Sequence, residues 1–497
     1  MLPFQKKLTN GFFAVLSLPA TGVGFSFSTQ VAVLSWILST KYNLHIEDVA
    51  IVWLAGPLSG VIMQPVVGMI SDKNWFWGGR RKPFIIVGGI LSALMFMALL
   101  KLDVISRLMG MQSVFIVAVI VALLLDISIN VTFNPARSII ADVTPAGKQR
   151  TRGYAWMQAI SGSFSIGAYF ISIVFGNIVL LYVAAVLVFL FSIVPLLFIK
   201  EPRVLESTDR NTKAGKSSMR KTIKTLLPLY GFIAYGVFVI VDKFITANAL
   251  TAYQVPFMYA CIALTLLIGV YVIYSGQKRL SPENEFQKML LAHSFTWLGL
   301  QTMFVMIFFY VQQVIVPGLN LENTVANSFS SFFSGKEQTG DSSAGNILSL
   351  GFLILNFVAA ILPVVILEPL AKRIGKRKTY SAALAFLVMG FGYLYIWGRG
   401  EWNFYFGMFL CGIGWSAVIS IVFAIMSEKV DACKMGLYMS LFNFSIVFPS
   451  MMTVGVSRIV NESADPSILF LVAFSSLLLS FIFWLFVKES SKASYAG

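Results

Sequence analysis

Asp126 is a carboxylic acid in the middle of an otherwise apolar segment, within the run LLDISIN at 124–130. Asn130 follows one helical turn later, so the two side chains share a helix face. A charged carboxylate at membrane depth is costly and is usually kept to bind a proton, an ion or a polar solute. Burial disfavours the charged form, so reversible protonation is one chemistry that Asp126 predicts. The alternative is a permanently protonated Asp126 that only bonds a neighbouring helix.

A second set of amide and indole side chains also lies inside apolar segments. Such groups suit hydroxyl-rich ligands, because amides bond hydroxyl groups and aromatic rings stack on sugar faces. Each residue alone is more often explained by a hydrogen bond between packed helices. We predict His293 near a helix start, at the membrane interface. The candidate substrate-binding residues are Gln30, Asn130, Trp297, Gln301, Trp415 and Asn443.

A third group of residues surrounds the polar stretch 72–83, where a carboxylate at one helix end precedes an arginine pair at the next helix start. In a two-state carrier such a cluster can bridge moving bundles in one state and release them in the other. The alternative is an ordinary basic loop with a Gly/Pro turn, but a degraded copy at 369–378, PLAKRIGKRK, favours a gate. The candidate cytoplasmic gate residues are Gly68, Asp72, Gly79, Arg80, Arg81, Arg137 and Asp142.

The composition identifies the kind of protein that must position these residues. Of 497 residues, 57% are hydrophobic and 12% are charged, whereas soluble proteins carry roughly a quarter charged residues. Apolar runs of about 20 residues are long enough to cross a bilayer as helices. We therefore predict an all-α, polytopic membrane protein.

The net charge of +15 reflects membrane topology. About 29 of the 37 Lys and Arg residues fall on one side of the predicted helices and about seven on the other. This is the positive-inside asymmetry, and it predicts that both termini are cytoplasmic. Basic stretches with interleaved aromatic residues, as nucleic-acid surfaces have, are not seen. We expect a lipid bilayer as partner and no nucleic acid.

The apolar runs number fourteen, which fits two six-helix bundles plus an inserted pair near 225–275. The predicted division is an N-terminal bundle over 1–199, a cytoplasmic linker over 200–224, an inserted helix pair over 225–289 and a C-terminal bundle over 290–497. The linker carries eight positive and three negative charges and is expected to be solvated. The long outer connection, 317–345, is Ser-, Asn- and Gly-rich and is expected to be a mobile surface segment.

Three stretches resemble the sucrose-transporter-like branch of the major facilitator superfamily, within the glycoside–pentoside–hexuronide cation symporters. The segment 53–84, WLAGPLSGVIMQPVVGMISDKNWFWGGRRKPF, is similar to the family's loop signature, and 124–142, LLDISINVTFNPARSIIAD, to its fourth-helix motif. The segment 435–449 resembles its eleventh helix in the form of bacterial members. The resemblance implies alternating access and proton-coupled uptake of a disaccharide such as sucrose or maltose. It also implies that Asp126 is the proton-coupling residue and Asn130 its neighbour in the cavity.

The leading hypothesis is thus a proton–disaccharide symporter of a bacterial inner membrane. A sodium-coupled or uncoupled sugar carrier is a second hypothesis, and a non-transporting sensor on a carrier fold is a third. Metal-ligand clusters and nucleophile–base pairs are not seen in the sequence, and its three cysteines are scattered. We therefore expect no enzymatic activity, no cofactor and no metal. We expect the small-molecule partners to be a sugar and a proton, and the protein to be monomeric.

Overall fold

A computed structural model describes residues 7–111, 113–145, 148–202, 223–245, 249–278, 281–319, 324–334, 343–429, 435–463 and 465–488. The chain divides into two compact units. Unit 1 is Met1–Arg210 with Asn320–Asn356, and unit 2 is Asn211–Leu319 with Phe357–Gly497. Most of the expected linker, 203–222, lies outside the described residues, and the predicted domain boundaries stay a prediction.

The described part of unit 1 contains eight consecutive helices. It also contains a short helix and the first part of a longer helix, both from the later segment Asn320–Asn356. In order they are α1 (Asn10–Thr40), α2 (Ile46–Trp53), α3 (Ala55–Lys73), α4 (Lys82–Leu99), α5 (Leu102–Leu108), α6 (Val114–Val143), α7 (Lys148–Phe175), α8 (Asn177–Leu197), α12 (Val325–Ser334) and α13 (Ser343–Leu362).

Unit 2 contains the remaining described helices and the end of α13. They are α9 (Tyr230–Ile240), α10 (Gln254–Lys278), α11 (Pro282–Tyr310), α14 (Glu368–Ile374), α15 (Lys376–Trp397), α16 (Glu401–Lys429), α17 (Met435–Met451), α18 (Thr453–Glu462) and α19 (Ile468–Leu485).

Twelve described helical segments are long and apolar enough to cross a membrane. The other two of the fourteen predicted spans are helical as well. Residues 46–73 form α2 and α3, in which Gly, Pro and Ser lower the hydropathy. The eleven residues of α9 are followed by the π-helical turn Val241–Ile245. The all-α fold is therefore confirmed, and helices satisfy the backbone polar groups that a bilayer cannot.

The two units use the same pairing of helices. In unit 1, α1 packs against α7 and α8, and α4 packs against α6 and α8. In unit 2, α11 packs against α17 and α19, and α15 packs against α16 and α19. The first helix of each set thus contacts the fifth and sixth, and the third contacts the fourth and sixth. This correspondence is what an internal repeat produces.

The helices α9 and α10, which are predicted to be an inserted pair, belong to unit 2 and pack against its other helices. They contact each other, α9 also contacts α17, and α10 contacts α11 and α18. Arg458 of α18 donates from Nη1 to the carbonyl oxygen of Thr251, at 2.8 Å. Gly231 allows the closest approach, because a Cβ there would collide with the Cys261 carbonyl oxygen and the Thr265 hydroxyl group.

The 317–345 connection contains a helix that the sequence analysis did not predict. Helix α12 packs against α7, with the Ser330 hydroxyl donating to the Ile173 carbonyl oxygen at 2.7 Å. The rings of Phe170 and Phe333 meet edge to face at 5.2 Å. The Ser- and Asn-rich composition was misleading because these polar side chains bond one another and the helix ends, as Asn327 does with Ser343 at 3.0 Å.

We predict that Gly231→Ala loosens the inserted pair and lowers the stability of the protein by about 2 kcal/mol, because overpacking at a backbone contact forces two helices apart. The measurement is the thermal unfolding midpoint of the purified protein in detergent. Gly167→Ala is the matched control, since a Cβ at this helical glycine would meet nothing within 4 Å. Equal midpoints for the two variants would contradict the close approach.

Candidate functional site

The candidate site in unit 1 centres on Asp126, in the middle of α6. Its side chain is buried, with the residue 4% exposed. Gln30 of α1, also buried, donates from Nε2 to the Asp126 Oδ1 atom at 2.9 Å. Gly56 of α3 faces the carboxyl oxygens. Asp126 therefore lies where α1, α3 and α6 meet, and the predicted residues Gln30 and Asp126 are in direct contact.

Asn130 extends this site along α6. Its Nδ2 atom lies 2.9 Å from the Ser59 Oγ atom and 2.9 Å from the Asp126 carbonyl oxygen. Within the described part of the chain, no cationic side chain forms an ion pair with Asp126. Ser59 is a site residue that sequence analysis missed, since a serine in an apolar segment usually bonds its own helix. The arrangement is a buried carboxyl group bonded by a neutral amide.

The loop between α3 and α4 is a tight turn. Trp77 and Gly78 have φ values of 48° and 76°, and Phe76 and Gly79 exchange backbone hydrogen bonds at 3.1 and 3.2 Å. Two successive residues with positive φ are the signature of a type I′ turn. The turn returns the chain so that Arg80 and Arg81 directly precede the start of α4.

Glu201 binds these amides, and sequence analysis missed it by assigning it to a solvated linker. Its carboxylate accepts from the backbone N–H groups of Arg80 at 2.8 Å, Arg81 at 3.0 Å and Lys82 at 2.9 Å. A helix N-terminus favours such an anion. Glu201 is 4% exposed, and a Cβ at Gly79 would collide with its carboxylate. The available signal was an acid two residues after an apolar run, which is weak.

The arginine pair and Asp142, three of the predicted gate residues, lie in one cluster. Arg81 donates from Nε to the Asp142 Oδ2 atom at 3.1 Å and from Nη1 to the Ser71 Oγ atom at 2.6 Å. Arg80 Nη2 lies 3.9 Å from the same Asp142 oxygen. All three charged side chains are about 90% buried, with 8–11% of their surface exposed. The cluster links α3, α4 and α6.

Of three other predicted gate residues, Gly68 adjoins this cluster through Ser71, whereas Arg137 forms a separate contact. Arg137 is exposed, and its guanidinium group lies over the Phe133 ring at 4.0 Å. Gly68 contributes its carbonyl oxygen to the Ser71 hydroxyl group at 3.2 Å. The side chain of Asp72 lies outside the described part of the structure. The gate role of these three residues stays a prediction.

The corresponding loop of unit 2 is used in a similar way. Arg377, at the start of α15, donates from Nη1 to the carbonyl oxygens of Leu485 and Val487 at 3.1 and 2.9 Å. In unit 1, Lys82 at the start of α4 donates to the Leu196 carbonyl oxygen at 2.8 Å. In both units, a basic side chain at the third helix therefore binds the last turn of the sixth helix, where cations are favoured.

The candidate residues of unit 2 form an aromatic row. The Trp297 and Trp415 rings meet at 6.2 Å and 78°, and Phe304 meets Trp415 at 5.6 Å and 78°. All three rings are half-buried. Gln301, one turn after Trp297, is buried, and Asn443 on α17 is half-buried. Aromatic rings can stack on the apolar face of a polar ligand, and amides can bond its hydroxyl groups.

His293 is buried beside this row, and its predicted place near a helix start is wrong. The reason is the start of α11, which is Pro282 and not a residue near 290. Ser281 accepts from the Asn284 amide as the helix N-cap, and Pro and Glu follow in the first turn. This capping signal adds two helical turns before His293. The imidazole stacks on Phe442 at 4.4 Å and 15°.

Comparison with known proteins identifies the fold and family. Residues 16–335 match the sequence profile of the Major Facilitator Superfamily. The chain is also similar to Sucrose transport protein SUC4 of Arabidopsis thaliana, with 30% identity over 156 residues that make up 30% of each chain. Its identity with the General alpha-glucoside permease of Schizosaccharomyces pombe is 28% over 160 residues, 30% of this chain and 28% of the permease. The alignments thus span about a third of these relatives.

Solved structures share the architecture across nearly the whole chain. The nucleoside transporter NupG has a TM-score of 0.58 at 14% identity, covering 97% of this chain and all of NupG, 100%. An auto-inhibited peptide transporter of the POT family has a TM-score of 0.63 at 11% identity, covering 98% of each chain. At such identities these matches establish the fold alone.

We predict that Glu201→Gln destabilises unit 1 by about 2 kcal/mol, because a neutral amide has one acceptor oxygen for three N–H groups that a carboxylate now binds. The readout is the thermal unfolding midpoint in detergent. Glu368→Gln is the matched control, since Glu368 is exposed and pairs only with Lys372 in the described structure, at 2.7 Å. A midpoint for Glu201→Gln equal to that of Glu368→Gln would contradict this role.

Proposed function

The chain belongs to the major facilitator superfamily, and on this premise we propose that it is a secondary active transporter for proton-coupled uptake of a disaccharide. It is a multi-pass membrane protein and a transporter, not an enzyme. The maltose and sucrose class is proposed for two reasons: the named relatives are sucrose and α-glucoside carriers, and the candidate residues are amides and indoles. Transport would proceed by alternating access.

The observation that carries the proposal is the state of Asp126. It is buried at 4% exposure in a helix that can cross a membrane, and its recorded side-chain partner is the neutral Gln30 amide. A carboxylate in that setting lacks the compensation that buried charges require. A proton neutralises it when it is enclosed, and contact with water allows the proton to leave. Asp126 is therefore proposed as the proton-coupling residue.

The proposed substrate-binding residues are divided between the units. Gln30 and Asn130 lie in the Asp126 cluster, and they would bind sugar hydroxyl groups. In unit 2, the indoles would stack on the C–H faces of a sugar ring, and the amides would orient it. These unit 2 residues are Trp297, Gln301, Trp415 and Asn443.

The charged cluster around the α3–α4 loop is proposed as the cytoplasmic gate, because its carboxylates and arginines can exchange partners between two states. The gate comprises Gly68, Asp72, Gly79, Arg80, Arg81, Arg137 and Asp142. The basic residue distribution supports a cytoplasmic position for this loop and both termini, in a bacterial inner membrane. We also propose the domain division at 1–199, 200–224, 225–289 and 290–497, and a monomer.

Sodium coupling is a weaker candidate. Na⁺ prefers several oxygen ligands, and Asn130 and Thr132 are the nearby residues on α6 that could join Asp126. Thr132 instead donates from Oγ1 to the Ser128 carbonyl oxygen at 3.2 Å. Asn130 directs its amide N–H group to Ser59. The Asp126 carboxyl group itself accepts from the Gln30 Nε2 atom, an N–H donor that cannot ligate Na⁺, so we favour a proton over sodium.

We predict that Asp126→Asn abolishes sugar accumulation driven by a pH gradient while leaving sugar exchange partly intact, because the amide preserves shape and cannot carry the proton. The measurement is uptake of labelled maltose, sucrose and trehalose by proteoliposomes that are acidic outside. Asp103→Asn is the matched control, since Asp103 is exposed and pairs with Arg107 at 3.1 Å. Wild-type accumulation by Asp126→Asn would refute the coupling assignment.

A second test separates the two coupling ions. We predict that sugar uptake into sodium-free vesicles alkalinises an unbuffered outer medium, because one proton enters with the sugar. A pH electrode records the change, and a proton-permeable ionophore should remove it as a control. Uptake that requires added Na⁺ and leaves the outer pH constant would favour the sodium reading.

A further inference from the structure

The proposed function leaves the buried imidazole of His293 without a role. The residue is 1% exposed in α11, and its Nδ1 atom has no hydrogen-bond partner among the described residues. Buried polar atoms without partners are few in folded proteins, and each needs a physical explanation. Burying this unpartnered Nδ1 atom is unfavourable, so we expect the imidazole of His293 to have a role beyond packing.

The contacts of His293 define its tautomer. The Trp297 indole donates from Nε1 to the His293 Nε2 atom at 2.9 Å. An acceptor Nε2 carries no hydrogen, so the neutral ring has its hydrogen on Nδ1. An imidazolium would have N–H groups on both atoms and would lose this bond. The bond therefore requires neutral His293.

Packing alone does not explain a histidine at this position. The ring stacks on Phe442 with centroids 4.4 Å apart and planes at 15°, and a phenyl ring could make the same contact. Phenylalanine would also remove the unpartnered Nδ1–H group, whose burial is unfavourable. What histidine adds is the Nε2 acceptor. The advantage of histidine at this position therefore comes from the hydrogen bond that the Trp297 indole donates to this acceptor.

Trp297 is the end of the half-buried aromatic row. Its ring meets Trp415 at 6.2 Å and 78°, and Trp415 meets Phe304 at a similar angle. A tryptophan side chain can rotate about two bonds, and edge contacts alone hold its orientation weakly. A hydrogen bond from its Nε1 atom to a buried ring, itself held by Phe442, fixes the plane of the indole.

We propose that His293 is a positioning residue for sugar binding, whose neutral imidazole holds the Trp297 indole in the orientation that stacks on a sugar ring. The inference rests on the proposed function. His293 itself does not touch the sugar. It lowers the cost of binding because the aromatic surface is already arranged before the ligand arrives.

The test compares two variants that separate the ring from the acceptor. His293→Phe keeps a ring against Phe442 and removes the acceptor, whereas His293→Gln removes the ring and keeps an acceptor oxygen. We expect His293→Phe to raise KM for the transported sugar about tenfold with an unchanged maximal rate, which is the effect of losing one hydrogen bond. We expect His293→Gln to stay within about threefold of the wild type.

A third variant tests whether the effect passes through Trp297. In the Trp297→Phe background, adding His293→Phe should change KM no further, because the donor is already gone. The ultraviolet resonance Raman signal of the indole N–H group gives a readout independent of sugar. It should differ between the wild type and His293→Phe, and this difference should vanish in the Trp297→Phe background.

The outcomes separate this inference from the proposed function. A wild type that takes up no maltose, sucrose or trehalose overturns the function and this inference with it. Uptake by the wild type with an equal KM for His293→Phe overturns the inference alone, as does a tenfold rise in KM for His293→Gln. If His293→Phe does not fold, the His293→Gln variant decides whether the inference holds. Its KM and its Raman signal are then compared with those of the wild type.

Discussion

The solvent around these helices sets the main constraint on the structure. Hydrocarbon offers no hydrogen bonds, so backbone groups are paired within helices and polar side chains must find partners inside the protein. Many serine and threonine hydroxyl groups bond a carbonyl oxygen one turn earlier, as Ser26 does with Gly22 at 2.9 Å. Polar groups that do more than this stand out, and they mark the parts of the molecule with a role beyond packing.

Two buried carboxyl groups in unit 1 show the contrast. Glu201 is compensated by three backbone N–H groups at a helix start, with a helix dipole directed at it. Asp126 has the neutral amide of Gln30. The first arrangement compensates the carboxylate and holds the α3–α4 loop. The second leaves a charge poorly compensated, which suits a group that gains and loses a proton. Similar burial thus supports two different roles because the partners differ.

The repeat places different chemistry in the two units. Both use a basic residue at the third helix to bind the end of the sixth helix. Unit 1 then concentrates carboxylates and amides, whereas unit 2 concentrates indoles and the His293 imidazole. Its Trp297 contact depends on a neutral ring, which burial in an aromatic environment maintains. Under the proposed function, the shared frame would carry proton chemistry in one half and a sugar-stacking surface in the other.

The sequence by itself determined the all-α membrane fold, the approximate position of the helices at the fourteen predicted spans and the repeat, and it singled out Asp126 as a candidate residue. These follow from hydropathy, charge asymmetry and a lone carboxylate, which are local or compositional signals. Only the tertiary structure decided that Glu201 caps α4, that Ser59 joins Asn130 and that His293 is buried against Phe442. Each of these depends on contacts between helices far apart in the chain, and no local pattern specifies which hydrogen-bond partner a polar residue meets when helices pack.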